Sequence, residues 1–337
     1  MRFALIGLGY WGRNYLRLIE RHPDCELVVV CDGSTTALAD GLTAAPGAHG
    51  TNNAFDAIAH PAVDAVVIAT PATTHFPIAG SALRSGKHVL CEKPLTMTVA
   101  ESEELLGLAE DSGQTLFVGH TFVYNPAVRA ARSLVRDGEL GSRLHCHATW
   151  AAPGPVRSDV NALWDLSPHP ISILTYLLGR GPTSVAATGQ TILDTDREDI
   201  VFLHLEFSES ATADIHVSWL ARLKTRTVTL TGGRRVAIFD DMAQKEKLRV
   251  FETSAATDGS RSERVERVPD QPIHVPQISA VEPLAAQLDH FLECCHSGIT
   301  PQSSGLAGQC VVAVLEAAQE SLRSGDAVAL EETPLRA

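Results

Sequence analysis

The chain has 337 residues, 45% of them hydrophobic and 20% charged, which is typical of a globular protein large enough for two domains. Its formal net charge is −13, from 40 acidic and 27 basic side chains, which argues against nucleic acid and an anionic membrane surface as partners. The seven cysteines, the absence of a signal-peptide pattern and the lack of a bilayer-spanning apolar run predict reduced thiols in a cytoplasmic protein that does not enter the membrane.

Residues 1–120 alternate short apolar runs with helical patterns. Amphipathic helices are expected between the runs, as over Val99–Glu110, where leucines are interspersed with acidic residues. Strands that alternate with helices predict a parallel sheet with right-handed crossovers. We therefore assign residues 1–122 to a nucleotide-binding domain of the Rossmann class. The predicted strands are Arg2–Ile6, Glu26–Cys31, Ala65–Ala69, His88–Cys91 and Thr115–Val118.

The pattern changes after Tyr124. A connecting helix is predicted over Ala127–Arg136, and beyond it apolar and polar residues alternate, as is typical of an antiparallel sheet with one face in solvent. A single helix over Asp165–Leu178 interrupts the strands, and the charged stretch Asp258–Asp270 is expected to be an exposed loop. These features predict an α+β domain over residues 123–337. Its predicted strands are Arg143–Trp150, Ser184–Leu193, Ile200–Phe207, Thr212–Trp219, Thr225–Leu230 and Arg235–Phe239, and its closing helices are Pro283–His296 and Leu306–Ser324.

A glycine-rich turn follows the first predicted strand. Gly7, Gly9 and Gly12 match the pattern Gly-x-Gly-x-x-Gly, with Tyr10 and Trp11 between the last two glycines. In this pattern the first glycine permits a tight turn, the second lets the backbone approach a pyrophosphate, and the third lets helix and strand pack closely. The helix that follows offers free N–H groups to the phosphates. The turn is therefore predicted to bind a dinucleotide.

Asp32 ends the second predicted strand, 20 residues after Gly12 (32 − 12). This is the spacing of the carboxylate that binds the adenosine ribose hydroxyls in Rossmann domains. A carboxylate here repels a 2′-phosphate, and the residues that follow, Gly33-Ser34-Thr35-Thr36, include no arginine or lysine to bind one. The predicted cofactor is therefore NAD rather than NADP.

A second group of candidates follows the ends of predicted strands. In open parallel sheets, ligands bind beyond the carboxyl ends of the strands. Lys93 and Glu92 follow the fourth predicted strand, and Thr70, Pro71 and His75 follow the third. We predict that these residues line the cofactor site and that Lys93 donates a hydrogen bond to the substrate oxygen. The alternative for Lys93 is a solvated surface lysine.

Asp165 and His169 form a third group, four residues apart on the single predicted helix. On one helical face this spacing directs both side chains the same way. An imidazole accepts or donates a proton near pH 7, which alcohol oxidation and ketone reduction both require. We predict that His169 exchanges this proton. The alternative is a histidine that caps a helix or belongs to the core.

Six segments form a specific set because they occur together and in this order: Gly7–Gly12, Ala69–His75, Glu92–Pro94, Val118–Val128, Trp164–Leu174 and Val314–Gly325. They resemble the glucose–fructose oxidoreductase, inositol dehydrogenase and MocA (Gfo/Idh/MocA) family over nearly the whole chain. The most specific part is a Rossmann turn followed by a Glu-Lys-Pro segment and then by Asp-x-x-x-His.

The resemblance implies a Rossmann domain followed by an open, mostly antiparallel sheet whose outer face forms homodimers or homotetramers. It implies that Lys93 and His169 act beside the nicotinamide as an acid–base pair, with Asp165 as the supporting carboxylate. It also implies a cis peptide between Lys93 and Pro94. The implied activity is NAD-dependent hydride transfer at a secondary alcohol or ketone carbon of a sugar, nucleotide sugar or cyclitol.

The segments that contain Tyr124 and Trp164 resemble most closely those of dehydrogenases that act on nucleotide sugars. A guanidinium such as that of Arg157 binds a carboxylate or phosphate through its planar fork, although a solvated loop arginine is the alternative. The chain departs from the family at Pro170, where aspartate is frequent, and at Val123, where arginine is frequent, so two charged substrate contacts are missing. The predicted substrate-binding residues are His120, Tyr124, Arg157, Asn161 and Trp164.

Two other functions remain open at this stage. One is a redox-neutral glycosidase or epimerase that uses NAD transiently, and the other is a non-catalytic regulator that binds a dinucleotide. The presence of both Lys93 and His169 argues against the regulator. His145 and His147 would share one face of a strand, but no third ligand is near them in sequence, so no metal site is predicted.

Overall fold

The computed structural model describes residues 1–154, 156–157, 159–193, 196–253 and 272–335. The chain forms two compact units, one of Met1–Thr121 with Glu282–Val312 and one of Phe122–Val281 with Ala313–Ala337. Residues 282–312 thus group with the first unit, although the sequence patterns assigned them to the second domain. The predicted domain limits, residues 1–122 and 123–337, stay a prediction. The predicted loop Asp258–Asp270 lies outside the described residues.

The first unit contains a six-stranded parallel sheet. Its central strands are apolar along their buried length, because helices cover both faces of such a sheet. The strands are β1 (Arg2–Ile6), β2 (Glu26–Cys31), β3 (His49–Thr51), β4 (Ala65–Ile68), β5 (His88–Cys91) and β6 (Leu116–Val118). Their order, β3-β2-β1-β4-β5-β6, is that of a Rossmann domain, which confirms the predicted fold class for this part of the chain.

Helices connect these strands, and one helix from the later part of the chain joins them. Phe291 on that late helix packs against Phe3 and Phe117, with ring centroids 6.2 and 5.5 Å apart, so it contributes to the core of the first unit. The helices are α1 (Tyr10–Arg21), α2 (Thr35–Ala44), α3 (Ala54–Ala59), α4 (His75–Arg84), α5 (Val99–Ser112) and, after those of the second unit, α9 (Pro283–Ser297).

The second unit is built on an eight-stranded sheet. Its strands are β7 (Leu144–Pro153), β8 (Ser184–Gln190), β9 (Ile200–Phe207), β10 (Ala211–Ser218), β11 (Leu220–Gly232), β12 (Arg235–Asp240), β13 (Leu248–Glu252) and β14 (Val328–Ala329). The order is β13-β12-β11-β7-β10-β9-β8-β14, with β7 and β10 parallel and the other pairs antiparallel. The mostly antiparallel sheet is therefore confirmed. In β9, Val201, Leu203 and Leu205 are buried while Phe202 and His204 are exposed, so one face packs on the core.

The helices of the second unit correct one prediction. The single helix predicted over Asp165–Leu178 is two helices, α7 (Ala162–Leu166) and α8 (Pro168–Leu178), separated at Ser167. The reason is that Pro168 and Pro170 have no N–H to donate to the preceding turn. The spacing of Asp165 and His169 therefore spans the junction between α7 and α8. The unit also contains α6 (Pro126–Arg136), and α10 (Gly305–Ser324) extends from the first unit into the second.

Candidate cofactor and active site

The glycine turn between β1 and α1 has three glycines with different roles. Gly7 has φ +94°, and a Cβ there would lie 2.5 Å from the Ala69 carbonyl oxygen. A Cβ on Gly12 would lie 1.9 Å from the carbonyl oxygen of Gly7. In contrast, no atom of the described chain lies within 4 Å of a Cβ built on Gly9. The outer glycines are required by packing, whereas Gly9 leaves open space for a group that approaches the backbone, as a pyrophosphate does.

Helix α1 begins directly after this space. Its N-cap residue is Gly9, and no side chain of the described residues caps it. Its first turn contains no acidic residue, so its unbonded N–H groups and partial positive charge remain available to an anion. Tyr10 is 79% exposed and lies edge-on to Trp11, at 5.5 Å between ring centroids. This helix start suits the phosphates of a dinucleotide.

Asp32 lies just past the carboxyl end of β2 and contacts the glycine turn. One carboxylate oxygen accepts a hydrogen bond from the N–H of Leu8 at 2.7 Å, and the other accepts one from the N–H of Ser34 at 2.8 Å. A carboxylate has about four lone-pair sites, so Asp32 retains acceptor capacity for ribose hydroxyls. The open space at Gly9, the uncapped helix and Asp32 together fit the adenosine diphosphate part of NAD.

The residues that follow β4 and β5 are joined by a buried histidine. Nδ1 of His75 lies 2.8 Å from the carbonyl oxygen of Pro94, and Nε2 lies 2.9 Å from that of Thr70. Burial is the main cause that lowers the pKa of His75, and the charge of Lys93 acts in the same direction. His75 thus lies between the two loops that carry Thr70 and Lys93, and as a neutral imidazole it donates its single N–H to one of these carbonyls. The peptide between Lys93 and Pro94 is cis, as the resemblance implies.

Glu92 is 5% exposed and belongs to a buried hydrogen-bonded chain. The hydroxyl of Tyr15 donates to Oε1 of Glu92 at 2.8 Å, and the backbone N–H of Lys93 donates to Oε2 at 3.2 Å. The side-chain amide of Gln287 donates to the Tyr15 hydroxyl at 2.8 Å. Burial raises the pKa of Glu92 and also that of Tyr15. Neither Tyr15 nor Gln287 was predicted from the sequence, although a tyrosine on the buried face of α1 was a usable signal.

His120 follows β6, the strand next to β5, and is 1% exposed. Burial lowers the pKa of His120 to about 3, and the charge of Lys93 adds to this effect. Neither ring nitrogen has a hydrogen-bond partner among the described residues. A neutral imidazole carries one N–H donor and one acceptor nitrogen. His120 and Lys93 thus follow the carboxyl ends of neighbouring strands, and His120 has both a donor and an acceptor to offer there.

In the second unit, His169 lies within a group of aromatic side chains. Its ring is buried and meets Phe122 edge-on at 5.2 Å between centroids, and Trp150 lies 6.0 Å away. Asp165 accepts a hydrogen bond from the indole N–H of Trp219 at 2.9 Å. Phe122, Trp150 and Trp219 were not predicted from the sequence, because nothing in their local sequence relates them to His169 or Asp165.

The predicted substrate-binding residues of the second unit differ in their contacts. Arg157 forms a bidentate ion pair with Asp159, through bonds of 3.0 and 2.9 Å. Asn161 accepts a hydrogen bond from the N–H of Trp164 and so caps α7. Its amide donates to Glu198 and Gln319 at 2.7 and 3.0 Å, so these contacts are structural. Tyr124 is also buried, and the guanidinium of Arg129 lies 4.9 Å from its ring centroid. Their roles in substrate binding stay a prediction.

Three further observations concern metals, thiols and membranes. Across the described ranges, no group of three or more His, Cys, Asp or Glu side chains is arranged to hold a metal ion. His145 instead contacts Thr212 at 2.9 Å and Asp214 at 3.5 Å. All seven cysteines lie in the described part of the chain and are thiols rather than disulfides. Of the helices described, none is long and apolar enough to cross a membrane.

Comparison with known proteins identifies the family. A model of the oxidoreductase family with an NAD-binding Rossmann fold matches residues 1–120, and a model of the Gfo/Idh/MocA C-terminal domain matches residues 128–237. The chain belongs to the Gfo/Idh/MocA oxidoreductase family. It is an oxidoreductase with an NAD-binding Rossmann fold, and the glycine turn and Asp32 had predicted the NAD binding.

Individual relatives cover most of the chain. UDP-N-acetylglucosamine 3-dehydrogenase of Acidithiobacillus ferrooxidans is 28% identical over 252 residues, 74% of this chain and 76% of that protein. The scyllo-inositol 2-dehydrogenase (NAD(+)) of Bacillus subtilis is 25% identical over 345 residues, 98% of this chain and 96% of that protein. The crystal structure of GenD2 from gentamicin A biosynthesis in complex with NAD is 26% identical, with a TM-score of 0.83, and the match covers 98% of this chain and 96% of that chain.

Proposed function

We propose that this protein is a dehydrogenase or ketoreductase that acts on a secondary alcohol or ketone carbon of a sugar, nucleotide sugar or cyclitol. The observation that carries the proposal is that the open glycine turn, Asp32 and Lys93 all follow the carboxyl ends of strands in the parallel sheet. The substrate class is supported by relatives that are named as dehydrogenases of a nucleotide sugar and of an inositol.

We assign the reaction to an acid–base pair. NAD supplies the acceptor or donor of a hydride. In the oxidising direction, His169 accepts the hydroxyl proton, and the ammonium of Lys93 donates a hydrogen bond to the substrate oxygen. Asp165, on α7, orients this acid–base pair, and the indole N–H of Trp219 donates a hydrogen bond to its carboxylate. In the reducing direction, His169 donates the proton instead. The residues that would hold NAD are Gly7, Gly9, Tyr10, Trp11, Gly12, Asp32, Thr70, Pro71, His75, Glu92 and Lys93.

The substrate contacts are assigned to the polar residues predicted from the sequence. His120 is the one best suited by its chemistry, since its buried ring can donate to one sugar hydroxyl and accept from another. Arg157 would have to exchange Asp159 for an anionic group of the substrate. Tyr124, Asn161 and Trp164 complete the proposed set.

A screen of nucleotide sugars and cyclitols with NAD is expected to show substrate-dependent formation of NADH with at least one compound. The measurement is NADH absorbance, with chromatography of the substrate in parallel. Substrate loss without net formation of NADH would indicate that the protein is a redox-neutral glycosidase or epimerase instead of a dehydrogenase. No conversion of any compound in either direction, despite NAD binding, would contradict an enzyme of this substrate class.

We also propose that the protein is a cytoplasmic homodimer or homotetramer that associates through the outer face of the second unit's sheet. The seven cysteines are thiols rather than disulfides, which supports a reducing compartment. On that face, Phe202 is 50% exposed and stacks on His216 at 4.5 Å between ring centroids. Exposed aromatic rings of this kind are enriched at interfaces between proteins.

Replacing Phe202 with aspartate is expected to shift the protein to smaller assemblies, because each interface would then bury an unpaired charge. The measurement is mass by light scattering after size exclusion. Phe55, on α3 of the first unit, is 52% exposed, so Phe55→Asp is the matched control and is expected to leave the mass unchanged. A wild-type monomer, or equal masses for Phe202→Asp and an oligomeric wild type, would contradict this interface.

A further inference from the structure

The buried chain of Gln287, Tyr15 and Glu92 ends at the residue beside Lys93. We infer that Tyr15 is a positioning residue for the reaction, and that it acts through Glu92 to hold Lys93 in place. Gln287 orients the Tyr15 hydroxyl. The inference rests on the proposed function, in which Lys93 contacts the substrate oxygen.

A buried carboxylate remains ionised only when hydrogen-bond donors replace the water that it has lost. Glu92 receives a donor at each oxygen, from the Tyr15 hydroxyl on one side and from the backbone N–H of Lys93 on the other. Burial raises the pKa of Glu92, while these two bonds and the charge of Lys93 lower it. The Tyr15 hydroxyl is therefore one of the contacts that favour the charged form of Glu92 against its burial.

Gln287 determines the direction of this hydrogen bond. A tyrosine hydroxyl has one proton to donate and lone pairs that accept. The amide of Gln287 donates to the hydroxyl oxygen, which leaves the Tyr15 proton directed at Glu92. Tyr15 is fully buried, so water does not compete for that proton. Helices α1 and α9 thus both contribute to the state of one carboxylate.

The titratable groups around this carboxylate make its charge matter for Lys93. Glu92 is faced by Tyr15 from α1 and by Cys91 from β5, and burial raises the pKa values of both, so neither carries charge near neutral pH. Lys93 has His75 and His120 close to it, and burial lowers the pKa values of both of these histidines. A neutral imidazole does not offset an ammonium. The negative charge of Glu92 therefore attracts the Lys93 ammonium. Protonation of Glu92 removes that attraction, so the ammonium stays charged but is held in place less firmly.

Tyr15→Phe tests the inference because it removes only the hydroxyl. It is expected to raise the pKa of Glu92 by about one to two units, the shift that corresponds to losing a hydrogen bond to a charged group. The pH below which kcat/KM falls should rise with it. The matched control is Tyr176→Phe on α8, which removes a hydroxyl from the second unit and should leave that pH unchanged. A lower melting temperature for Tyr15→Phe without a shift of the kcat/KM profile would overturn the inference, because it would indicate a purely structural role.

A second measurement does not depend on turnover. An infrared pH titration of the protein without substrate reports the protonated carboxyl of Glu92, which is assigned by the loss of its band in Glu92→Gln. The band should appear at higher pH in Tyr15→Phe than in the wild type or Tyr176→Phe, and an unshifted band would overturn the inference. In the Glu92→Gln background, Tyr15→Phe should cause no further shift of the kcat/KM profile. If Lys93→Met keeps its turnover, the proposed role of Lys93 fails, and the infrared shift still decides whether Tyr15 controls Glu92.

Discussion

Replacing Lys93 with methionine is expected to lower kcat by about 10²–10⁴-fold while the protein still binds NAD. Methionine retains the length and the apolar part of the side chain but has no ammonium to donate to the substrate oxygen. Lys93 follows β5, whose carboxyl end is at the edge of the sheet that binds ligands. The measurements are steady-state kcat on the substrate found by the screen and NAD affinity from titration of intrinsic fluorescence.

The matched control is Lys87→Met, which alters the opposite end of the same strand. Lys87 precedes β5 and donates to the carbonyl oxygen of Val63 at 2.7 Å, so its loss should leave kcat within about twofold of wild type. His169→Ala should reduce kcat as Lys93→Met does, because it removes the group that exchanges the proton. Near-normal turnover in both variants would show that Lys93 and His169 are not the acid–base pair.

Gly9→Ala should weaken cofactor binding without affecting folding, whereas Gly12→Ala should destabilise the fold. Gly9 has φ −67° and ψ −161°, which alanine adopts without strain, and a Cβ there meets no atom of the described chain. Gly9→Ala should therefore fold normally and bind NAD about tenfold or more weakly, because its methyl group fills the space that a pyrophosphate needs. This corresponds to at least about 1.4 kcal/mol of binding free energy.

Gly12→Ala should instead destabilise the fold. Its Cβ would overlap the carbonyl oxygen of Gly7, and backbone cannot move aside as a flexible side chain can. The expected loss is about 1–3 kcal/mol of the free energy of unfolding, or more. Thermal unfolding of each variant, with and without NAD, separates the two effects. If Gly9→Ala melts at a lower temperature than Gly12→Ala in the absence of NAD, the assignment of one glycine to binding and the other to packing is wrong.

Most of the Rossmann part of the fold follows from local sequence. Strands β1, β2 and β5 have the limits predicted from their apolar runs, because a strand buried on both faces needs apolar side chains along its whole length. Strand β3 was missed, since His49-Gly50-Thr51 has no such run and pairs with β2 at the edge of the sheet. The two short helices α7 and α8 were predicted as one, because the apolar pattern continues through Pro168 even though the hydrogen bonds do not.

The cofactor half of the site was also predictable. The glycine turn and Asp32 lie on consecutive strand ends, so their spacing along the chain is set by one crossover of the parallel sheet. Residues that contact one another over long separations were not predictable. Tyr15 bonds to Glu92 across 77 residues and to Gln287 across 272, and Trp219 bonds to Asp165 across 54. None of these pairs leaves a periodic pattern in the sequence.

By itself, the sequence determined a Rossmann domain and an NAD-binding turn, because each depends on backbone geometry that a few neighbouring residues impose. The oxidoreductase family followed from the resemblance of six segments along the chain. Only the tertiary structure decided how the individual side chains are used. It showed that His75 joins two loops, that Asn161 caps a helix, and that Glu92 is buried under Tyr15. Burial and hydrogen bonding set the charge and position of such groups, and both depend on residues that folding brings from distant parts of the chain.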